Sequence, residues 1–209
     1  MGGEIARTLG LRVPEIVFAN LDPILSRTEG DEEIQDLIKF SGGLNIGLHY
    51  LTGALSYDPL VTSLDSTLAS QIVWLDLLIM NVDRTPRNTN MLVWHKELWL
   101  IDHGASFYLH HADPDIAKKG EKAFPLVKDH VLLPLASELE AVDKIYRSIL
   151  TAEKIEGIVS IIPDQWLSEN SSGMSAYEIK EAYSRFLESR VASSEILVKE
   201  AQHARERII

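Results

Sequence analysis

Asn81-Val82-Asp83-Arg84-Thr85-Pro86-Arg87-Asn88 is followed by a short apolar stretch and then by Ile101-Asp102-His103-Gly104, and the architecture turns on these two words. Spacing alone proves little. With 13 Asp and 6 Asn in 209 residues, an Asp with an Asn five positions later arises roughly 0.4 times by chance. Asp76 and Asn81 form a second such pair, inside an apolar helical run. Context separates the two. Val61, Leu64, Leu68, Ile72, Leu75 and Ile79 step by threes and fours, the mark of one helix face. Asp58 before Pro59 is the expected N-cap. From Ile72 to Met80 almost every position is apolar, so that end is expected to be buried all round. Pro86 then disfavours helical geometry at Thr85 and opens a polar loop. Met91–Trp94 and Leu98–Ile101 are β-prone runs separated by His95-Lys96-Glu97, a hairpin signal. The hairpin folds the chain back and carries Asp102 toward Asn88.

Two carboxylates and a carboxamide so arranged suit phosphoryl transfer, which depends on positioning and charge neutralisation rather than covalent work by the protein. Magnesium takes one or two carboxylates and leaves the rest of its shell to phosphates and water. Asp102 and the amide oxygen of Asn88 fit that role, and Asn88 adds an oxygen without a third negative charge. Asp83 is the candidate to accept or orient the proton of an attacking hydroxyl, assistance typically worth about 10²–10⁴ in rate. Arg84 and Arg87 are available to screen the carboxylates or to meet a phosphate. The plainer alternative is a polar surface loop with Asx turns and a structural Asp-Gly turn.

Protein kinases carry an Asp and an Asn five residues apart on the catalytic loop and a second, metal-binding Asp after a pair of strands. More specifically, Glu4 to about Leu133 resembles the HipA-like kinase families. The matching words are Gly3-Glu4-Ile5-Ala6-Arg7 with Leu9-Gly10-Leu11-Arg12-Val13-Pro14, Asn81-Val82-Asp83-Arg84, Asn88-Thr89-Asn90 and Leu100-Ile101-Asp102-His103-Gly104. Lys128-Asp129-His130-Val131-Leu132 adds a further match. The resemblance implies an α+β, mainly helical chain with a protein-kinase-like C-terminal lobe. Residues 1–22 would be a remnant of the small lobe and hinge, and 23–209 the helical large lobe. It implies Asp83 as the catalytic Asp, Asn88 and Asp102 as metal ligands, and ATP and Mg²⁺ as cofactors. Glu4 would be the helix glutamate, and Ala19, Leu21 and Asp22 would belong to a hinge at Phe18–Asp22 whose backbone meets adenine. Thr85 stands where HipA itself commonly has His. The implied activity is ATP- and magnesium-dependent transfer to a hydroxyl acceptor, on a protein or a small molecule.

No Gly-x-Gly-x-x-Gly occurs, and the first lysine is Lys39, after the expected hinge. A kinase pairs a strand lysine with a helix glutamate, so the lysine partner of Glu4 and the first small-lobe strands are expected upstream of Met1. The second reading is accordingly a catalytically inactive kinase-like binding or regulatory protein. Ser41–Gly47 lacks the Lys-Ser/Thr ending of a P-loop and reads as an ordinary loop. A third reading, a His/Asp metal phosphohydrolase, draws on His103, His110, His111 and His130 with Asp113 and Asp129. The chain carries only Asp-His dipeptides, and His130 reads as a packed structural histidine.

Composition suits a cytoplasmic globular protein, with 45% apolar and 24% charged residues. There is no cysteine, hence no disulfide or thiolate site. No run of eighteen apolar residues suggests a membrane span, and the first residues show no basic-then-apolar signal pattern. A net charge of −11 argues against nucleic acid as a partner. The one basic cluster, Lys118-Lys119-Gly120-Glu121-Lys122, reads as a solvated loop. Further elements follow from local signals. A first helix ends at Gly10, a strand covers Glu15–Ala19, and Asp31 caps a helix to Phe40. Phe107–Phe124 lacks clear periodicity, and the resemblance to kinases would put it in the place of an activation loop. Capping boxes at Ser137-Glu140 and Ser175-Glu178 open helices, Thr151 opens another before Pro163, and the last starts near Ser193. Glu169–Gly173 is the linker candidate. Asp76 needs a buried partner, for which Arg84 or a backbone amide is the candidate. Tyr177, Tyr183 and Phe186 are expected in the core.

Overall fold

The computed structural model describes residues 1–107, 120, 122–168 and 173–208. The linker candidate (apart from Gly173), most of the activation-loop stretch, and His110, His111, Asp113, Lys118, Lys119 and Glu121 therefore lie outside the described residues. The fold is α+β, with eight α-helices and two small sheets among the described residues. The chain divides into two compact units, one of residues 1–13 and 54–209, the other Pro14–Gly53. These limits do not coincide with the expected boundary at 22/23.

In the larger unit, α1 (Gly2–Thr8) stops as the glycine signal predicts. Gly10 adopts φ +83°, its N–H donates to the Arg7 carbonyl, and Leu11 N–H reaches back to Ala6 at 3.0 Å. That is a Schellman ending, with Leu11 buried as its apolar contact. The central helix α3 runs Ser66–Ile79, and its end is enclosed as expected: Ile72 through Ile79 are all buried. Its start differs from the expectation. Asp58 makes an Asx turn, accepting from Leu60 N–H at 2.8 Å, and Asp65 is the N-cap, accepting from Leu68 N–H at 2.9 Å. Leu60 and Val61 are exposed, so no packing carries the helix back that far.

Around α3 pack α4 (Leu139–Ile149), α7 (Ala176–Ala192), α8 (Ser194–Glu206) and α1. Trp74 of α3 donates its indole N–H to Asp143 of α4 at 2.8 Å and meets Tyr146 edge-on. Between them, α5 (Ala152–Ser160) is capped by Thr151, and α6 (Asp164–Ser168) follows Pro163. The Ser175–Glu178 box forms. The Ser137 box does not: α4 begins after Glu138, whose N–H is taken by Ser70 of α3 at 2.9 Å. A tertiary acceptor replaces the local cap. Tyr183 and Phe186 are buried, but Tyr177 is exposed because it lies off the Ile179–Tyr183–Phe186–Arg190 face of α7.

Strands β3 (Leu55–Ser56), β4 (Met91–Trp94) and β5 (Glu97–Leu100) form an antiparallel sheet in that order. The hairpin is tighter than the expected three-residue loop. Trp94 pairs with Glu97, and His95 and Lys96 turn the chain alone, both at positive φ (51° and 66°). That is the turn geometry whose twist matches the flanking strands.

In the smaller unit, β1 (Ile16–Leu21) pairs antiparallel with β2 (Gly43–Leu48), Phe18 opposite Ile46. Ser41–Gly47 is therefore largely strand rather than loop; its glycines mask the alternation of Leu44, Ile46 and Leu48. A short 3₁₀ turn (Pro23–Thr28) packs against α2 (Glu32–Phe40), which Asp31 caps as expected. Only Pro14, Ser26 and Leu51 are buried in this unit.

Candidate active site

The site is built where α3 stops. Met80 takes a left-handed conformation (φ 53°) and turns the chain into the loop, with its N–H on the Asp76 carbonyl. Asp76, fully buried, collects three donors: Arg84 Nε at 2.5 Å, His130 Nε2 at 2.9 Å and Asn81 Nδ2 at 3.0 Å. Leu132 N–H donates to His130 Nδ1 at 3.0 Å, which makes Nε2 the protonated nitrogen facing Asp76. Burial by itself raises the Asp76 carboxyl. The charge of Arg84 and the bonds from His130 and Arg84 outweigh that and hold it far below the usual carboxylate range. The expected Asp76–Arg84 pairing is thus present, with His130 as a second partner. A cavity of about 10 Å³ beside Asp76, Asn81, Arg84 and His130 has room for roughly one water.

From this anchor the loop is pinned in several places. Arg84 Nη1 donates to the Asn90 carbonyl at 2.6 Å, and Val131 N–H donates to the Arg84 carbonyl at 3.0 Å. Thr85 and Asn88 exchange backbone bonds, closing a tight turn over Pro86 and Arg87. That turn brings the two predicted residues together. Asn88 Nδ2 donates to Asp83 Oδ2 at 2.8 Å. Asn90 Nδ2 donates to the same oxygen at 3.2 Å, and Asp83 N–H is held by Asn81 Oδ1. The bond fixes the Asn88 amide so that its oxygen is left for another partner.

Asp102 arrives from the hairpin. Ile101 N–H donates to the Asn90 carbonyl at 3.0 Å, extending the β4–β5 register by one pair, so Asp102 follows directly beyond Asn90. Asp102 is exposed, sits at φ 47°, and accepts from Gly104 N–H through Oδ1 at 3.1 Å. A side chain at Gly104 would crowd that oxygen, at 3.0 Å. Asp102 makes no direct bond to Asp83 or Asn88; the Asn90 carbonyl is what links their segments. His103 turns inward against α1, where a Cβ on Gly2 would lie only 2.9 Å from His103 Cβ. Burial, and then the charge of Arg84, lower His103 to about 4, so its ring is neutral. Arg84 Nη2 and His103 Nε2 are both buried without a hydrogen-bond partner.

The exposed Asp102 carboxylate and the fixed Asn88 amide oxygen are donor types that suit a small hard cation keeping most of its shell for phosphate and water. Among the described residues no three or more of His, Asp and Glu cluster at metal-binding distance. His130, drawn on for the phosphohydrolase reading, is committed to Asp76, and His103 is enclosed elsewhere.

The other expected site residues belong to other elements. Glu4, on α1, meets Arg7 at 3.5 Å. Ala19 and Leu21 pair with Asn45 and Gly43 within β1–β2, and Asp22 caps the 3₁₀ turn by accepting from Ile24 N–H at 2.9 Å. All three belong to the smaller unit. Sequence reasoning gave Asn90 no role. The signal for it is that Asn, of the polar residues, best tolerates the left-handed backbone (φ 48°) required there. Beside the loop opens a cleft of about 610 Å³, walled by Val82, Thr85, Arg87, Lys128, Val131 and Pro134 among others.

Comparison with curated proteins and with solved structures gave no significant match. A sequence profile described as HipA-like kinase matches residues 1–194. With nearly the whole length matched, and with the Asp83–Asn88 loop and the Asp102 turn built as above, the chain belongs to the HipA-like kinase family.

Proposed function

We propose that the protein transfers the γ-phosphoryl group of ATP to a hydroxyl acceptor with magnesium as cofactor. The observation that carries this is the 2.8 Å bond from Asn88 Nδ2 to Asp83 Oδ2. It orients a carboxylate to take a hydroxyl proton and leaves the Asn88 amide oxygen as a cation ligand, with Asp102 as the second. Asn88 and Asp102 would hold the magnesium ion, which would supply charge neutralisation at the phosphates. Asp83 holds the acceptor hydroxyl in line. Its two amide donors, Asn88 and Asn90, hold the carboxylate in one orientation. The acceptor is placed in the cleft beside the loop, where Arg87 offers a cation and Leu126 and Val131 an apolar wall. Ala19, Leu21 and Asp22 are assigned to adenine contact, and Glu4 to orienting a phosphate-binding lysine. The lobes follow as residues 1–22 and 23–209.

A second reading, a kinase-like binding protein without turnover, is favoured by one observation. Glu4 pairs with Arg7, while Lys39, the first lysine, pairs with Asp36 on α2. The test is release or transfer of the γ-phosphate by the purified chain. Asp83→Asn is expected to lower turnover by about 10²-fold or more while ATP still binds. ATP binding without turnover in the unaltered chain selects the second reading, and no response to ATP with magnesium refutes both.

A further inference from the structure

We infer that Asp76, Arg84 and His130 form a positioning brace that sets the spacing between the Asp83–Asn88 pair and Asp102, with the Asn90 carbonyl as its joint. The inference deepens the kinase reading and rests on it for its catalytic consequence. The geometry is continuous. Asp76 on α3 fixes the Arg84 guanidinium, whose Nη1 reaches the Asn90 carbonyl at 2.6 Å. That same carbonyl receives Ile101 N–H, one residue before Asp102. The Asn90 side chain touches Asp83. One guanidinium therefore positions both arms of the site. His130 shares with Arg84 the same Asp76 oxygen, Oδ2, and Val131 N–H holds the Arg84 carbonyl.

Stability alone does not account for such a group. Arg84 and Asp76 are fully buried, and a buried ion pair is often no more stabilising than an apolar pair of similar volume. What the pair supplies is direction: a planar fork bonding Asp76 through one nitrogen and a backbone carbonyl through another, which lysine does not reproduce. Arg84 is thus a positioning residue rather than a group that touches the reacting atoms.

The test compares Arg84→Lys, His130→Ala and His130→Gln with the unaltered chain, by amide hydrogen exchange without nucleotide and by ATP turnover. The brace predicts exchange about tenfold or more faster across residues 83–90 and 101–104, with α7 and α8 unchanged. It also predicts a fall in kcat of about tenfold with KM for ATP nearly constant, the pattern of lost transition-state positioning. His130→Gln retains an N–H for Asp76 and is expected to recover most of both. Should Arg84→Lys not fold, the two His130 variants decide. Wild-type exchange at 83–90, or acceleration spread evenly over the helices, overturns the brace. If the unaltered chain turns over no ATP, the kinase reading fails by itself and the exchange pattern still judges the brace.

Discussion

Asp76 shows how far one buried carboxylate organises its surroundings. Its need for a partner was legible because a charge enclosed by Ile72, Leu75 and Ile79 is costly unless paired. Arg84, eight residues on, was within reach of that argument. His130, 54 residues away, was not, because nothing local in Lys128-Asp129-His130 points toward α3. Asp83 and Asn88 were legible for the opposite reason: a five-residue turn brings them together without help from elsewhere. The depressed Asp76 carboxyl gives a pH prediction. A group whose folded pKa lies below its unfolded value of about 3.9 contributes stability that is present above pH 4 and lost as pH falls further. Acid unfolding below about pH 4 is therefore expected to be less steep in Asp76→Asn than in the unaltered chain. At neutral pH, Asp76→Ala leaves Arg84 charged and unpaired in the core and is expected to cost about 3–5 kcal/mol in denaturant unfolding. A loss below about 1 kcal/mol would contradict the burial of that pair.

Helix starts and turns tell a mixed story. Gly10, Asp31, Thr151 and Ser175 act as their local chemistry predicts, because a cap or a left-handed glycine is satisfied within four residues. Asp58 reads as the cap from its local sequence, and packing selects Asp65 instead. The residues after Asp65 enter the core, whereas Leu60 and Val61 stay in solvent. Asp65→Ala is accordingly expected to cost about 1 kcal/mol of stability, and Asp58→Ala only a few tenths, in chemical denaturation. Ser137 does not cap because the N-cap of α4 falls one residue later, at Glu138, whose N–H meets Ser70 of another helix, a tertiary contact hidden from sequence. The His95–Lys96 turn was read one residue too long for a related reason. Tight turns of this hand usually carry Asn or Gly, and here neither residue is either.

Across the whole molecule the two units differ in how they are stabilised. The larger has a continuous apolar core around α3. The smaller buries just two apolar residues, Pro14 and Leu51, while Phe40 is 89% exposed and Ile46 56%. Apolar burial near 25 cal/mol per Å² is the main favourable term in folding, and the smaller unit gains little of it. Backbone amides of β1 and β2 are therefore expected to exchange about 10²-fold or more faster than those of α3, and equal protection would contradict this. No helix among the described residues is long and apolar enough to cross a membrane. The family was legible in short words of sequence, and so was the meeting of Asp83 with Asn88, whereas the partners of Ala19, Leu21 and Asp22 depend on contacts that no local pattern encodes. The central claim is that Asn88 and Asp102 grip one cation beside Asp83, and paramagnetic Mn²⁺ with ATP tests it most directly. In a nuclear magnetic resonance titration, the Asn88 side-chain amide and the Asp102 and Gly104 backbone signals are predicted to broaden together at low Mn²⁺. Signals of α7 and α8 are predicted to stay sharp. Broadening that spares either Asn88 or Asp102, or that appears nowhere near the loop, would contradict the account.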